Sequence, residues 1–341
     1  MLRRLFVIMI ILILIIAAGW LALRRADIPY QSLETFYTSQ ESEFLTLSDG
    51  VKLHYRDEGL ASGETLVLVH GFAASLHTWE PWVNRLGTDY RIISLDLPGH
   101  GLSRNPEGDK MNPGYFGEAI AEMTTQLGVD EFVLVGSSMG GATAWQFALE
   151  YPDRLEGLVL VAASGWPNED QAGRPLVFSL LDNSLARFLM KDLDMSSLVA
   201  SGLQDSFVDP DLVTDEMIER YVSLARAPGH REGILAMTAQ RGDRGVATDE
   251  LVGRIDVPTL ILQGREDNLV NASGAERFAA AIAGSEVTVY DNVGHLPQEE
   301  IADRSAADLR AFLDRRIWPV VETAPQSDPA SDEALVPAPA E

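Results

Sequence analysis

The sequence predicts an α/β protein: a mostly parallel eight-stranded sheet with helices on both faces and one helical insertion. Three observations lead there. Between residues 65 and 162, short apolar runs alternate with stretches of helical period, the pattern of parallel strands joined by crossover helices. One of those runs, Phe132-Val-Leu-Val, enters a turn that reads Gly136-Ser137-Ser138-Met139-Gly140 and then a helix with apolar positions at Ala144, Phe147, Ala148 and Tyr151. Two later apolar runs end in Asp267 and His295, so a hydroxyl, a carboxylate and an imidazole follow one another, each just past a strand end.

The elements follow in order. Leu5 through Leu23 is an uncharged run of 19 residues between Arg3-Arg4 and Arg24-Arg25. As a helix it spans about 28 Å, close to the hydrocarbon thickness of a bilayer. It is longer than a secretory signal core and continues through Trp20 past its small residues, so an uncleaved anchor is favoured over a cleaved signal. Residues 1–25 are thus read as the anchor and 26–41 as a polar linker. The arginines on its two flanks balance, and Asp27 tilts the expected orientation towards a catalytic domain on the outer side. Phe44-Leu-Thr-Leu and Val51-Lys-Leu-His-Tyr alternate about Asp49-Gly50, a hairpin at the sheet edge. Strands at 65–70, 90–96, 131–137 and 156–162 then alternate with helices at 78–86, 113–127 and 139–150. From 166 to 247 the alternation stops. Leu176, Leu180, Leu181, Leu185, Phe188, Leu189 and Met190 fall in helical register, and Thr214 is placed to cap a further helix. The core, 42–165, resumes over 248–316. Residues 317–341 turn to Pro, Ala, Asp and Glu without period and read as a disordered tail.

The chemistry expected at the strand ends is nucleophilic. A serine hydroxyl needs a base to take its proton and a group to orient that base. Ser138, on the turn and at a helix N-terminus, is the candidate nucleophile. His295 is the base and Asp267 the residue that orients it. Thr65-Leu-Val-Leu-Val-His-Gly71 is a strand whose next backbone N–H, that of Phe72, can face Ser138. With the N–H of Met139 it would form an oxyanion hole. Glu266 lies beside Asp267, but the Gly264-x-x-Asp267 spacing favours Asp267. His100 belongs to the Asp96-Leu-Pro-Gly-His-Gly loop and reads as structural; His54, His77 and His230 have no partner pattern and read as structural or solvated. No His/Asp/Glu cluster has metal-ligand spacing and no phosphate loop is present, so no cofactor and no metal is expected.

His70-Gly71-Phe72, Asp96-Leu-Pro-Gly-His-Gly-Leu-Ser103, the Gly136–Gly141 turn, Gly264-Arg-Glu-Asp267 and Gly294-His295 together resemble the α/β-hydrolase superfamily in order and spacing, over about residues 42–316. The resemblance implies that 166–247 is a cap over the site. Two positions depart from the pattern. Asn271 stands where members often have proline, and Ser137 stands where many esterases have histidine. The segment His70-Gly-Phe-Ala-Ala-Ser-Leu-His-Thr-Trp79 is similar to those of membrane-anchored bacterial serine esterases, lipases and monoacylglycerol lipases.

Composition narrows the partners. There is no cysteine, which excludes disulfides and thiol catalysis, and the net charge of −25 with only Lys52, Lys110 and Lys191 as lysines argues against nucleic acid. A small-molecule acyl ester is the expected substrate and the membrane the expected location, on the extracytoplasmic side of a bacterial inner membrane. The resemblance leaves three other classes. They are a carbon–carbon bond hydrolase of aromatic degradation, in which the residue before the nucleophile is often Asn; a cofactor-free haloperoxidase-like protein; and a non-catalytic binding protein. A dehalogenase or epoxide hydrolase would need aspartate at 138.

Overall fold

The structure is a computed structural model that describes residues 2–106, 110–167, 183–239 and 245–319. Eight strands form one sheet: β1 (Ser42–Thr46), β2 (Lys52–Gly59), β3 (Thr65–Val69), β4 (Arg91–Leu95), β5 (Phe132–Ser137), β6 (Leu155–Val161), β7 (Thr259–Gly264) and β8 (Glu286–Tyr290). Their spatial order is β1-β2-β4-β3-β5-β6-β7-β8. β2 runs antiparallel to both its neighbours, and every other pair is parallel. The sheet is the one expected, hairpin at Asp49-Gly50 included.

The central strands are apolar on both faces because both faces are covered. In β3, Val67 and Val69 join one core while Leu66 and Leu68 join the other; in β5, Phe132 and Leu134 alternate in the same way with Val133 and Val135. The first core is closed by Phe116, Trp145, Phe147 and Phe278, the second by Trp79, Trp82, Leu309 and Phe312. The sheet is thereby rigid where β3, β5, β7 and β8 end, and the candidate residues sit at those ends.

The first helix, α1 (Leu2–Leu23), stands apart from both cores: none of its apolar span is buried inside the protein. Residues 26–41, expected to be a linker, instead hold α2 (Tyr30–Tyr37). The reason is Leu33, fully buried with Leu102, Leu224 and Ala227. The helices next on the sheet are α3 (Glu80–Leu86), α4 (Pro113–Gln126) and α5 (Met139–Glu150). Between β6 and β7 come α6 (Ser184–Met190), α7 (Ser196–Gln204), α8 (Asp215–Ala225), α9 (His230–Ala239) and the short α10 (Asp249–Val252). Thr214 caps α8, accepting the N–H of Met217. Leu176, Leu180 and Leu181 lie outside the described residues. Leu185, Phe188 and Leu189 do not pack onto the core; they are 64%, 59% and 44% exposed. After β7 and β8 and their helices α11 (Ala272–Ala281), α12 (Pro297–Glu300) and α13 (Ala302–Arg316), the chain does not break off at 317. Ile317 and Trp318 pack against the second core, and the Trp318 indole N–H donates to Glu156 at 3.1 Å. The tail from 320 lies outside the described residues.

Candidate active site

Ser138 sits on the sharp turn between β5 and α5, with φ 54° and ψ −113°. A non-glycine residue there carries strain on the order of 1–3 kcal/mol, held by its surroundings. Its N–H donates to Val161 O at 2.9 Å, and its carbonyl accepts from the amides of Ala142 and Ser164 and from the Ser164 hydroxyl. Glycine is required on either side because the chain doubles back tightly. A Cβ on Gly136 would run into the carbonyl of Gly140, and one on Gly140 would run into the carbonyls of Val69 and His70. The same approach brings the Gly71-Phe72 loop beside the turn: a Cβ on Gly71 would lie 3.2 Å from Ser138 Cβ and 3.8 Å from its Oγ.

His70 fixes that loop. Its Nε2 accepts the N–H of Leu97 at 3.0 Å, so the proton sits on Nδ1 and is donated to Gly71 O at 2.7 Å. The ring is buried, and burial keeps it neutral by lowering its pKa. Phe72, whose N–H is one expected oxyanion donor, follows directly and is 40% exposed; Met139, the other, begins α5 at the positive end of the helix dipole.

Asp267 and His295 meet. His295 Nδ1 lies 2.7 Å from Asp267 Oδ2, with both side chains buried. Asp267 has a full set of donors: Gln263 Nε2 at 2.9 Å on Oδ2, and the amides of Leu269 and Val270 at 2.8 Å each on Oδ1. Glu266 is turned elsewhere, accepting the N–H of Val293 at 3.2 Å. Nε2 of His295 makes no hydrogen bond to a described residue, so one nitrogen of the ring is held and the other is open.

Several residues at the site gave no signal in the sequence. Gln298 donates to Thr78 Oγ1 at 3.1 Å and reaches Ser137 Oγ at 3.5 Å, which ties the turn before Ser138 to the helix after His295. The Thr78 hydroxyl in turn donates to Glu299. Burial pushes the Glu299 carboxyl up to about 7, against the opposing pull of that hydroxyl and of Arg220. The insertion reaches the same place, since Ser206 O accepts the His295 N–H at 2.7 Å. Gln263, one residue before β7 ends, could have been suspected from a polar side chain in an otherwise apolar run; the contacts of Ser206 and Glu299 depend on tertiary packing alone.

The remaining histidines are structural. His54 pairs with Asp96 at 2.7 Å, fully buried, a partner that sequence spacing did not suggest. His77 is buried beside Arg56, and burial lowers its pKa to about 4; His100 is lowered to about 3 by the same cause. His230 lies buried between the carbonyls of Leu224 and Ser103. Among the described residues, no group of three or more His, Asp or Glu side chains is placed to hold a metal. A cavity of about 350 Å³ opens behind the Asp267 loop, lined by Ser164, Trp166, Leu269, Val270 and Arg277 but by neither Ser138 nor His295.

Comparison with known proteins agrees with the fold. A relative from Comamonas testosteroni, a 2-hydroxy-6-oxononadienedioate/2-hydroxy-6-oxononatrienedioate hydrolase, is 28% identical over 78% of this chain and 93% of its own length. A crystal structure of a hydrolase from Pseudomonas aeruginosa superposes with a TM-score of 0.69 at 29% identity, over 81% of this chain and 99% of that one. An esterase from Thermogutta terrifontis superposes with a TM-score of 0.66 at 26% identity, over 80% and 97%. Residues 64–301 match the family model described as the alpha/beta hydrolase fold, which is more than half of the chain, and the protein belongs to that family.

Proposed function

We propose that this hydrolase cleaves carboxylic esters of apolar, lipid-like acyl chains through an acyl-enzyme on Ser138. The observation that carries the reading is the imidazole of His295, held at Nδ1 by Asp267 and open at Nε2, at the same sheet edge as the strained Ser138 turn. In this reading Nε2 takes the Ser138 proton as Oγ attacks the acyl carbonyl. The oxygen that becomes negative is received by the N–H groups of Phe72 and Met139. The imidazolium, stabilised by Asp267, then gives its proton to the departing alcohol oxygen. Water repeats the sequence: it loses a proton to Nε2, attacks the acyl carbon, and Ser138 leaves with that proton as the free acid forms. The helical insertion serves as a cap, and α1 anchors the enzyme to a bilayer, where an apolar ester is concentrated without any new contact.

A second reading is supported by several relatives, named as hydrolases of 2-hydroxy-6-oxo-dienoates or of 2-hydroxymuconate semialdehyde. The relative from Comamonas testosteroni is named as a hydrolase of 2-hydroxy-6-oxononadienedioate and 2-hydroxy-6-oxononatrienedioate. The dienedioate is a dianion and the others carry one carboxylate, and a chain of net charge −25 repels both during approach, which favours the neutral ester. A panel of acyl esters of increasing chain length, run beside a 2-hydroxy-6-oxo-dienoate and beside Ser138→Ala, decides. The expected result is ester turnover rising with chain length and falling at least about 10³-fold in the variant. A kcat/KM higher for the dienoate than for every ester moves the assignment to the second reading. Ester turnover that survives Ser138→Ala removes the nucleophile.

A further inference from the structure

The chain that leaves α1 does not run free to the sheet. Leu23 to Arg25 pairs antiparallel with the segment joining α6 to α7: Asp194 N–H donates to Leu23 O at 2.9 Å, and Arg25 N–H to Asp192 O at 2.7 Å. The side chains repeat the pairing, Arg24 with Asp192 at 3.2 Å and Arg25 with Asp194 at 3.0 Å. The next residues are held by α9 and the turn before it. Arg226 donates to Ala26 O at 2.8 Å, and Arg231 to Asp27 at 2.6 Å. All of these partners belong to the insertion between β6 and β7, and none belongs to the sheet.

One contact sets a height. The Trp20 indole N–H donates to the carbonyl of Leu189, in α6, at 2.7 Å. Trp20 lies three residues before the end of α1, about 4.5 Å along its axis. If α1 crosses a bilayer, α6 is level with its last turn, where hydrocarbon meets headgroups. The residues there suit that level. Leu185 and Phe188 on α6 and Leu198 on α7 are 64%, 59% and 60% exposed, apolar side chains on the two helices that flank the segment paired with the end of α1. Cations border the face, Arg24 over the Trp20 ring and Lys191 over the Phe188 ring. Each already has an acid, since Arg24 pairs with Asp192 and Lys191 with Glu232 at 3.6 Å. The border is therefore close to neutral, in a protein whose net charge of −25 would be repelled by an anionic surface.

We infer that Leu185, Phe188, Leu189 and Leu198 form a membrane-contact surface, seated in the interface of a zwitterionic bilayer beside α1. This rests on the anchor proposed above. It adds that the insertion, and not the sheet, is pressed to the lipid, and the insertion is also the part that touches His295 through Ser206.

The absence of cysteine makes the test direct. Full-length chains carrying Leu185→Cys, Phe188→Cys or Leu198→Cys are labelled with a fluorophore sensitive to polarity and reconstituted in phosphatidylcholine vesicles, with and without a lipid bearing a shallow nitroxide quencher. Val287→Cys, on the exposed β8 edge, is the control. The expected result is blue-shifted emission and about twofold or greater quenching at 185, 188 and 198, none at 287, and no increase when a third of the lipid is made anionic. Alkaline carbonate washing of the same vesicles separates the two claims. Protein that stays in the pellet with water-like, unquenched labels overturns the contact surface and leaves the anchor standing; protein that washes off overturns both. Blue emission that the lipid quencher does not touch means that protein covers the face, either a second copy or this chain, and overturns the inference. Quenching that appears only with anionic lipid replaces seating with electrostatic adsorption and overturns it too.

Discussion

Two buried histidine–carboxylate pairs in this molecule have the same geometry and different surroundings. His54 Nδ1 to Asp96 Oδ2 and His295 Nδ1 to Asp267 Oδ2 both measure 2.7 Å. Each carboxylate also accepts two backbone amides, those of Leu76 and Leu102 on Asp96 and those of Leu269 and Val270 on Asp267. The difference is at the far nitrogen. His54 Nε2 is taken by the Ser42 hydroxyl at 3.0 Å and the ring is fully buried, whereas His295 Nε2 has no partner among the described residues. A histidine satisfied at both nitrogens is a structural tie between strands. One satisfied at a single nitrogen keeps the other available, as the proposed role of His295 as base requires. Proximity of His to Asp does not distinguish the two; the second nitrogen does.

The comparison breaks or holds on substitutions made in parallel. The largest effect is expected for Asp267→Asn, which should lower kcat on the order of 10³–10⁴-fold with little change in melting temperature, because the base loses its orienting charge. If thermal unfolding shifts and turnover does not, the roles of the two pairs have been exchanged. Asp96→Asn should do the reverse. Burial alone would raise this carboxyl, but the hydrogen bond and charge of His54 outweigh it and hold the pKa below the usual carboxylate range. Breaking that pair should cost about 3–5 kcal/mol of stability by denaturant unfolding, while the molecules that remain folded keep kcat within about threefold.

A smaller effect concerns Glu299, which faces the Thr78 hydroxyl, Arg220 and Glu80 and sits near Tyr221. Its folded pKa, about 7, is raised above the unfolded value, so the folded state binds more protons. Its contribution to stability is complete below the unfolded pKa and is lost as pH rises through about 7. Glu299→Gln should therefore flatten the decline of stability over that range, with a gain of about 1–2 kcal/mol over wild type at pH 8 that shrinks at pH 4. A variant whose unfolding curve stays parallel to wild type across that range removes this account. The smallest effect is expected for Glu266→Gln, next to the acid but with its side chain bonded, among the described residues, to the Val293 amide alone. Its kcat should stay within about threefold of wild type. A loss matching that of Asp267→Asn would mean that the carboxylates were assigned to the wrong neighbours.

How much of this was legible in the sequence depends on how local the physics is. The sheet was readable because its central strands are short apolar runs and its edge hairpin alternates about Asp49-Gly50, and the Ser138 turn because its Gly-x-Ser-x-Gly pattern is local to it. The meeting of Asp267 with His295 could be expected from strand order. Leu33 could not be placed, because the stretch around it is too short for periodicity to show that it docks on Leu102 and Leu224. The pairing of His54 with Asp96 joins β2 to the end of β4 across 42 residues, and no spacing rule reaches that far. The contacts of the insertion were the least legible, since a loop carbonyl such as Ser206 O carries no mark of its future partner.

Glu300 joins the insertion to the histidine loop with a single carboxylate. One oxygen accepts the Gly294 N–H at 2.6 Å, next to His295, and the other accepts the Val208 N–H at 2.9 Å. If the insertion is the proposed cap, a movement wide enough to admit a bulky molecule would loosen the second bond and leave the carboxylate on the Gly294 N–H, next to the proposed base. In the proposed reading, entry and proton handling are thus coupled through the Glu300 carboxylate and, at the backbone, through Ser206 O. A mutation selected to widen the entrance there would also detune the base, and the two properties would have to evolve together.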